Sequence, residues 1–220
     1  MQNVILALLL LAGFLAAVVW FAVLGIRQAR RAKALARCAN EMGMLFSMED
    51  CFSLPRRYAD FLLMSGGHSG RACHVAHGRG GGFPVKVFDF HYELGHGTKR
   101  LAERRRIVSL ETNRLLPQLL MWDPRQVVLA PLTIQVSDGR VGEWLFRGRA
   151  DLASAVTEVW ADTPMEGACL ESRGTTLLLS APSIPAKADD GRLLALAGRV
   201  LSALLMPCIA NDVLAPAMGG

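Results

Sequence analysis

From Val4 to Ile26 the sequence has no charge, no proline and no strongly polar side chain. A helix of these 23 residues spans roughly 34 Å at about 1.5 Å per residue, enough for a hydrocarbon core of about 30 Å. Lipid cannot satisfy backbone polar groups, so a spanning segment there must be helical. No lysine or arginine precedes the run, and no small-residue A-x-A site ends it. Those two absences, with its length, exclude a cleaved signal peptide and predict a retained anchor.

Other absences narrow the functional classes. The five cysteines (Cys38, Cys51, Cys73, Cys169 and Cys208) are odd in number and contain no C-x-x-C pair, which excludes a disulfide framework and fits reduced thiols. Gly67-His68-Ser69-Gly70 is followed by Arg71 where a nucleophile elbow needs glycine. The glycine run at 78–82 lacks both the Gly-Lys-Ser/Thr ending of a P-loop and the G-x-G-x-x-G spacing of a dinucleotide fold, so it reads as a turn. No nucleic-acid module accompanies the net charge of +5. No catalytic residue, no cofactor and no nucleic-acid partner is therefore expected, and the chain reads as a non-enzyme.

What the sequence does contain sets the orientation. Arg27, Arg30, Arg31, Lys33 and Arg37 follow the apolar run before the first acid, Glu41. The positive-inside rule puts them in the cytoplasm, with the N-terminus outside and the chain crossing the inner membrane once. With Trp20 they are the expected membrane-interface residues, Trp20 as an interfacial aromatic and the basic groups against anionic headgroups.

The expected organisation is an anchor at 1–26, a basic helical stalk at 27–43 ending near Gly43, a soluble α+β domain at 44–207 and an apolar tail at 208–220. Arg71–Gly78 and Val85–Tyr92 read as a hairpin with a loose loop. In its second strand Val85, Val87 and Asp89 share one face, and Lys86, Phe88, Phe90 and Tyr92 the other. Further strands are expected at Ile107–Glu111, Leu116–Trp122, Leu132–Val136 and Glu143–Arg147. The last third changes period: Asp151 is expected to cap a helix carrying Leu152, Val156, Val159 and Trp160. Strands at Gly167–Ser172 and Thr175–Ser180 follow, and then a helix from Asp189 or Asp190 that Pro207 should stop. Helices laid over a largely antiparallel sheet define the fold class, α+β behind one transmembrane helix.

The segments LPRRYADF, GHSGRACHVAHG and VKVFDFHYELGHG, placed behind a span and a basic stalk, resemble a bacterial family of single-span, membrane-tethered proteins of unknown function. Phe88, Asp89, Phe90, Tyr92, Gly95 and Gly97 carry the resemblance, which implies a fold type and a tethered topology but no activity.

Three features stand out as candidate chemistry. His68, His74, His77, His91 and His96 fall in one window with Cys73, but strict alternation puts His74 opposite Cys73 and His77, so no metal site is expected. The run Lys99, Arg100, Arg104, Arg105 and Arg106 is a possible contact for lipid or an acidic partner, or else a solvated strand end. Asp89, alone in an apolar strand, should pair with an arginine or a turn. Together these features predict an accessory or scaffold subunit of a larger bacterial membrane complex, for example an energy-transducing or photosynthetic one, in contact with membrane lipid and other subunits. The alternatives are a tethered ligand-binding or enzymatic domain using the histidine hairpin, and a peripheral sensor of anionic lipid.

Overall fold

The apolar run and the Ala- and Arg-rich segment after it form one unbroken helix, α1 (Gln2–Glu41), in the computed structural model. The structure describes residues 2–65, 67–95, 97, 100–124, 137–163, 165, 167–182 and 189–213. The expected strand at 132–136, His96, Lys99 and the last seven residues lie outside them.

No break separates anchor from stalk, because alanine and arginine continue the helix without interruption. The helix ends where Gly43 takes a left-handed φ of 68°. Along the apolar part, side chains from Leu10 to Phe21 are uncovered; Trp20 is 63 % exposed. This is a helix long and apolar enough to cross a membrane. Beyond it the surroundings change: Ala32, Leu35 and Ala39 are buried. They lie one or two turns apart on one stripe, which meets the sheet, while Arg27, Arg30, Lys33 and Arg37 stay exposed. The segment expected to be a stalk is thus also a wall of the domain.

Among the described residues nine strands follow, interrupted by four helices: β1 (Leu45–Glu49), α2 (Leu54–Arg57), α3 (Leu62–Ser65), β2 (His68–Gly80), β3 (Phe83–Leu94), β4 (Leu101–Glu111), β5 (Leu119–Trp122), β6 (Gly139–Val141), β7 (Trp144–Gly148), α4 (Ala150–Ala161), β8 (Cys169–Arg173), β9 (Thr176–Pro182) and α5 (Asp189–Val213). They make one sheet in the order β1-β2-β3-β4-β9-β8-β5-β7-β6, antiparallel at every pairing. The fold is α+β.

Each sheet face has its own cover. Val85, Val87, Val108, Leu110, Leu177 and Leu179 pack under α4 and α5 with Trp160, Leu196 and Val200. Phe88, Phe90, Ile107 and Leu178 pack under the segment of α2 and α3 with Leu54, Tyr58 and Phe61. The Tyr58 hydroxyl pins that cover to β4 through Ser109 (3.0 Å) and Glu111 (2.8 Å). The alternation expected in β3 is the alternation observed.

Several local expectations change. The loose loop at 78–84 is a two-residue turn, Gly81-Gly82, with φ of 59° and 87°; both strands extend to it, since positive φ at two successive positions matches the twist of a tight hairpin. Asp151 is not the cap of α4: the helix starts at Ala150, and Asp151 lies in its first turn bonded to Arg149. Pro207 does not end α5, which runs on to Val213 and takes in 208–213 of the expected tail. A proline removes one N–H, and a long helix can absorb that loss by bending.

Candidate functional site

β3 and β4 pair in register with Asp89 opposite Arg106 and His91 opposite Arg104. Residues directly opposite share a face, so alternation sends Arg104 and Arg106 toward α1 and α5, and Arg105 to the other side. This corrects the reading of the arginine run as one outward patch. Arg105 is 3 % exposed and donates to Ser180 Oγ (2.9 Å) and the Gly167 carbonyl (2.6 Å). Arg106 is 5 % exposed and grips Asp190 of α5 through Nε (2.9 Å) and Nη2 (2.7 Å). Charge on a strand end predicts solvent unless buried carboxylates meet it, and two do here. Arg100 remains on the surface; Arg104 is partly covered.

The carboxylate at the centre is Asp89, fully buried at 0 % exposure. Arg31 of α1 donates to both its oxygens (3.2 and 3.3 Å), Arg106 to Oδ1 (3.3 Å), and His74 and Arg104 to Oδ2, His74 at 3.0 Å. Burial by itself would raise this carboxyl. The His74 hydrogen bond and the charges of Arg106 and Arg104 outweigh that and hold it well below the usual carboxylate range. The expected arginine partner is there, three times over, and one copy comes from α1.

His74 reaches Asp89 through a break in alternation. The β2–β3 register runs from Cys73 opposite Asp89 to Ala76 opposite Val87, so β2 carries one extra residue between them. At this bulge His74 takes φ 51°, a left-handed value that is uncommon for histidine. Cys73 faces Asp89 directly, and the bulge swings His74 to the same side, with its Nδ1 3.5 Å from Cys73 Sγ. Parity then reverses. His77 lies on the opposite face, edge-on to Phe52 at 4.9 Å between ring centroids. The expectation that Cys73 and His74 diverge while Cys73 and His77 agree is therefore inverted. His68 stands apart near Glu93, 3.8 Å away.

The Cys73, Asp89 and His91 donor atoms lie within 4.8 Å of one another. The donor set is wrong for a cation: five contacts already occupy the roughly four lone-pair sites of Asp89, and three guanidinium groups surround it. The Asp89 hydrogen bond, followed by that of Cys73, raises His74 to about 9 against its burial. Burial would raise the Cys73 thiol, but hydrogen bonds from His74 and His91 and their charges bring it down to about 6. A cleft of about 500 Å³ opens onto this cluster, bounded by Gln28 and Arg31 of α1, Met48 and Glu49 of β1, and Arg71.

No family model matches the chain, and no curated protein matches it in sequence. One solved structure is similar: the crystal structure of the mycobacterial trehalose monomycolate transport factor A, TtfA, with a TM-score of 0.54 and 18 % sequence identity over 80 % of this chain and 93 % of that one. The two share a fold. At that identity the likeness extends to architecture and not to residues.

Sequence reasoning named Cys73, His74, His91, Asp89 and Arg31 separately. Gln28 and Asp190 escaped it, because nothing in a helix surface residue or a helix-initiating aspartate marks it as a partner of a strand far away in the chain.

Proposed function

We propose that this protein is a non-enzymatic accessory subunit of a larger bacterial membrane complex. Its domain lies on the cytoplasmic side and its span lies in the inner membrane. The observation that carries the reading is the continuity of α1: one helix runs from the uncovered apolar stretch into the domain, where Ala32, Leu35 and Ala39 pack and Arg31 bonds Asp89. The last 15 residues of that helix measure about 22 Å, so the sheet is held directly against the headgroups instead of trailing on a tether. A domain fixed at one height beside a bilayer suits a part that braces or covers a neighbour.

Likeness of fold to a transport factor makes membrane transport machinery the class of complex we favour. Orientation rests on Arg27, Arg30, Arg31, Lys33 and Arg37 following the span. Arg100, paired with Glu93 at the surface, stays within reach of an acidic partner or lipid, whereas Arg104 is engaged by Asp89 and burial removes Arg105 and Arg106 from that role.

The test is mild detergent extraction of native membranes, purification through a C-terminal tag and mass spectrometry of the eluate. Stoichiometric recovery with subunits of one membrane complex is expected. Recovery of this chain alone, at monomer or dimer mass, rejects the proposal.

A further inference from the structure

The cleft at the root of α1 contains a nucleophile that an accessory role does not use. We infer that Cys73 is a modification site, a sulfur placed to take the distal oxygen of a small hydroperoxide entering the cleft.

Four features of the site support this. Cys73 lines the cleft and is half-buried, so a small molecule can reach it. The bulge at φ 51° holds His74 Nδ1 3.5 Å from the sulfur, and Asp89 fixes the imidazole at 3.0 Å. Backbone strain of this kind persists where the surroundings enforce it, and here it sets an imidazole held by Asp89 beside a thiol. His91 brings a ring nitrogen within 4.8 Å of the sulfur, a second imidazole beside the thiol.

The charges around the sulfur come from every neighbouring element. Arg31, Arg71, Arg104 and His74 are the cations, with Arg106 behind Asp89. Glu49 and Asp50 are the anions at the rim, but both Asp50 oxygens accept backbone N–H groups of Phe52 and Leu54. The balance favours a sulfur anion and a departing oxyanion. The other thiols whose surroundings are described differ: burial raises Cys38 and Cys169, and Cys51 is exposed.

The step balances as follows. The Cys73 thiolate attacks the distal oxygen of R–O–O–H, an S–O bond forms and the O–O bond breaks. The alkoxide, or hydroxide from hydrogen peroxide, takes a proton from solvent water at the mouth of the cleft, while His74 Nδ1–H keeps its hydrogen bond to Asp89. Sulfur is oxidised by two electrons to the sulfenic acid and the peroxide is reduced to R–OH. No further reactant is needed. This chemistry does not depend on the proposed partner complex, so either can fail alone.

The experiment uses the full chain in detergent micelles, pulsed with iodoacetamide between pH 5 and 9, with labelling of each cysteine peptide read by mass spectrometry. Cys73 should rise with a midpoint near 6, whereas a free cysteine peptide added as internal reference rises near about 8.5. Lower thiolate basicity slows Cys73 by a constant factor, as does restricted access, so the ratio of the two rates is the robust readout. That ratio should fall about 80-fold from pH 6 to pH 8.5. Hydrogen peroxide followed by dimedone at pH 6.5 should then place the adduct on Cys73 ahead of Cys51. His74→Asn tolerates the left-handed backbone and should raise the Cys73 midpoint by about one unit or more with the circular dichroism unchanged. A Cys73 profile that overlays that of the reference peptide, or a dimedone adduct absent from Cys73, overturns the inference.

Discussion

Leu35→Ala tests how the long apolar helix α1 is joined to the domain. Leu35 is 2 % exposed, between Ala32 and Ala39 on the stripe of α1 that meets β1 and β2. Truncating a buried leucine costs about 2–5 kcal/mol, the spread reflecting how far the site collapses. The stripe borders solvent on both sides, so collapse is easy and about 2–3 kcal/mol is expected. The rival contact is Arg31 with Asp89, at 3.2 and 3.3 Å from a guanidinium that is 21 % exposed. Solvent screening puts that contact near the 1 kcal/mol end for ion pairs, and Asp89 keeps its other donors in Arg31→Met. Packing should therefore dominate. Hydrogen exchange of the backbone amides from Arg31 to Ala39, measured in micelles, reads the local opening free energy. Leu35→Ala should speed these amides by about 30- to 150-fold and Arg31→Met by about 5-fold, from a tenfold change per 1.4 kcal/mol. The reasoning is refuted if Arg31→Met has the larger effect, or if Leu35→Ala leaves exchange unchanged.

Asp89→Asn leaves Arg31, Arg104 and Arg106 around a neutral group. Since Arg106 keeps Asp190 and the other two reach solvent, the loss should fall near about 3 kcal/mol by urea unfolding, the low end for a broken buried pair, and a change below about 0.5 kcal/mol would contradict it. Gly148→Ala should cost about 2 kcal/mol or more by the same assay, because a Cβ there would lie 2.5 Å from the Gln118 carbonyl oxygen at φ 124°; wild-type stability would show that β5 and β7 part easily. The pH dependence of stability follows from two opposed groups. His74, raised to about 9, contributes stability that is fully present below its unfolded value of about 6.5 and is lost as pH rises through 9. Cys73, lowered to about 6, contributes stability present above its unfolded value of about 8.5 and lost as pH falls through 6. The slopes cancel between about pH 6.5 and 8.5, so the wild type should be level there, whereas Cys73→Ser should lose stability with rising pH. Equal profiles for the two proteins would argue against the pair.

The sequence made the architecture readable wherever period and composition reinforce each other. Val85, Val87 and Asp89 alternate with Phe88, Phe90 and Tyr92 as expected, because both faces of β3 are buried and register is then strongly enforced. Leu152, Val156 and Trp160 likewise mark the buried side of α4. The site was harder to see. The bulge at His74 is one extra residue with no glycine to announce it, and it alone decides which of Cys73, His74 and His77 meet. The first half of β4 was missed because arginines normally seek water, and their buried partners, Asp89 and Asp190, lie 17 and 84 residues away from Arg106. Pairing of β4 with β9 and β5 with β8 is equally non-local, and alternation within a strand says nothing about its neighbour.

The chain of contacts from Arg31 to Asp89 to Arg106 to Asp190 also fixes an order of events during synthesis. Its members come from the first helix, the middle of the sheet and the last helix. At about 5–20 residues per second, Asp190 leaves the ribosome roughly 8–30 s after Arg31. Arg31 can meet Asp89 as soon as β3 and β4 exist, whereas Arg106 waits for Asp190 until α5 has been made. Docking of α1 on the sheet can thus precede the closing of the far end of the same chain of ion pairs, which only α5 completes.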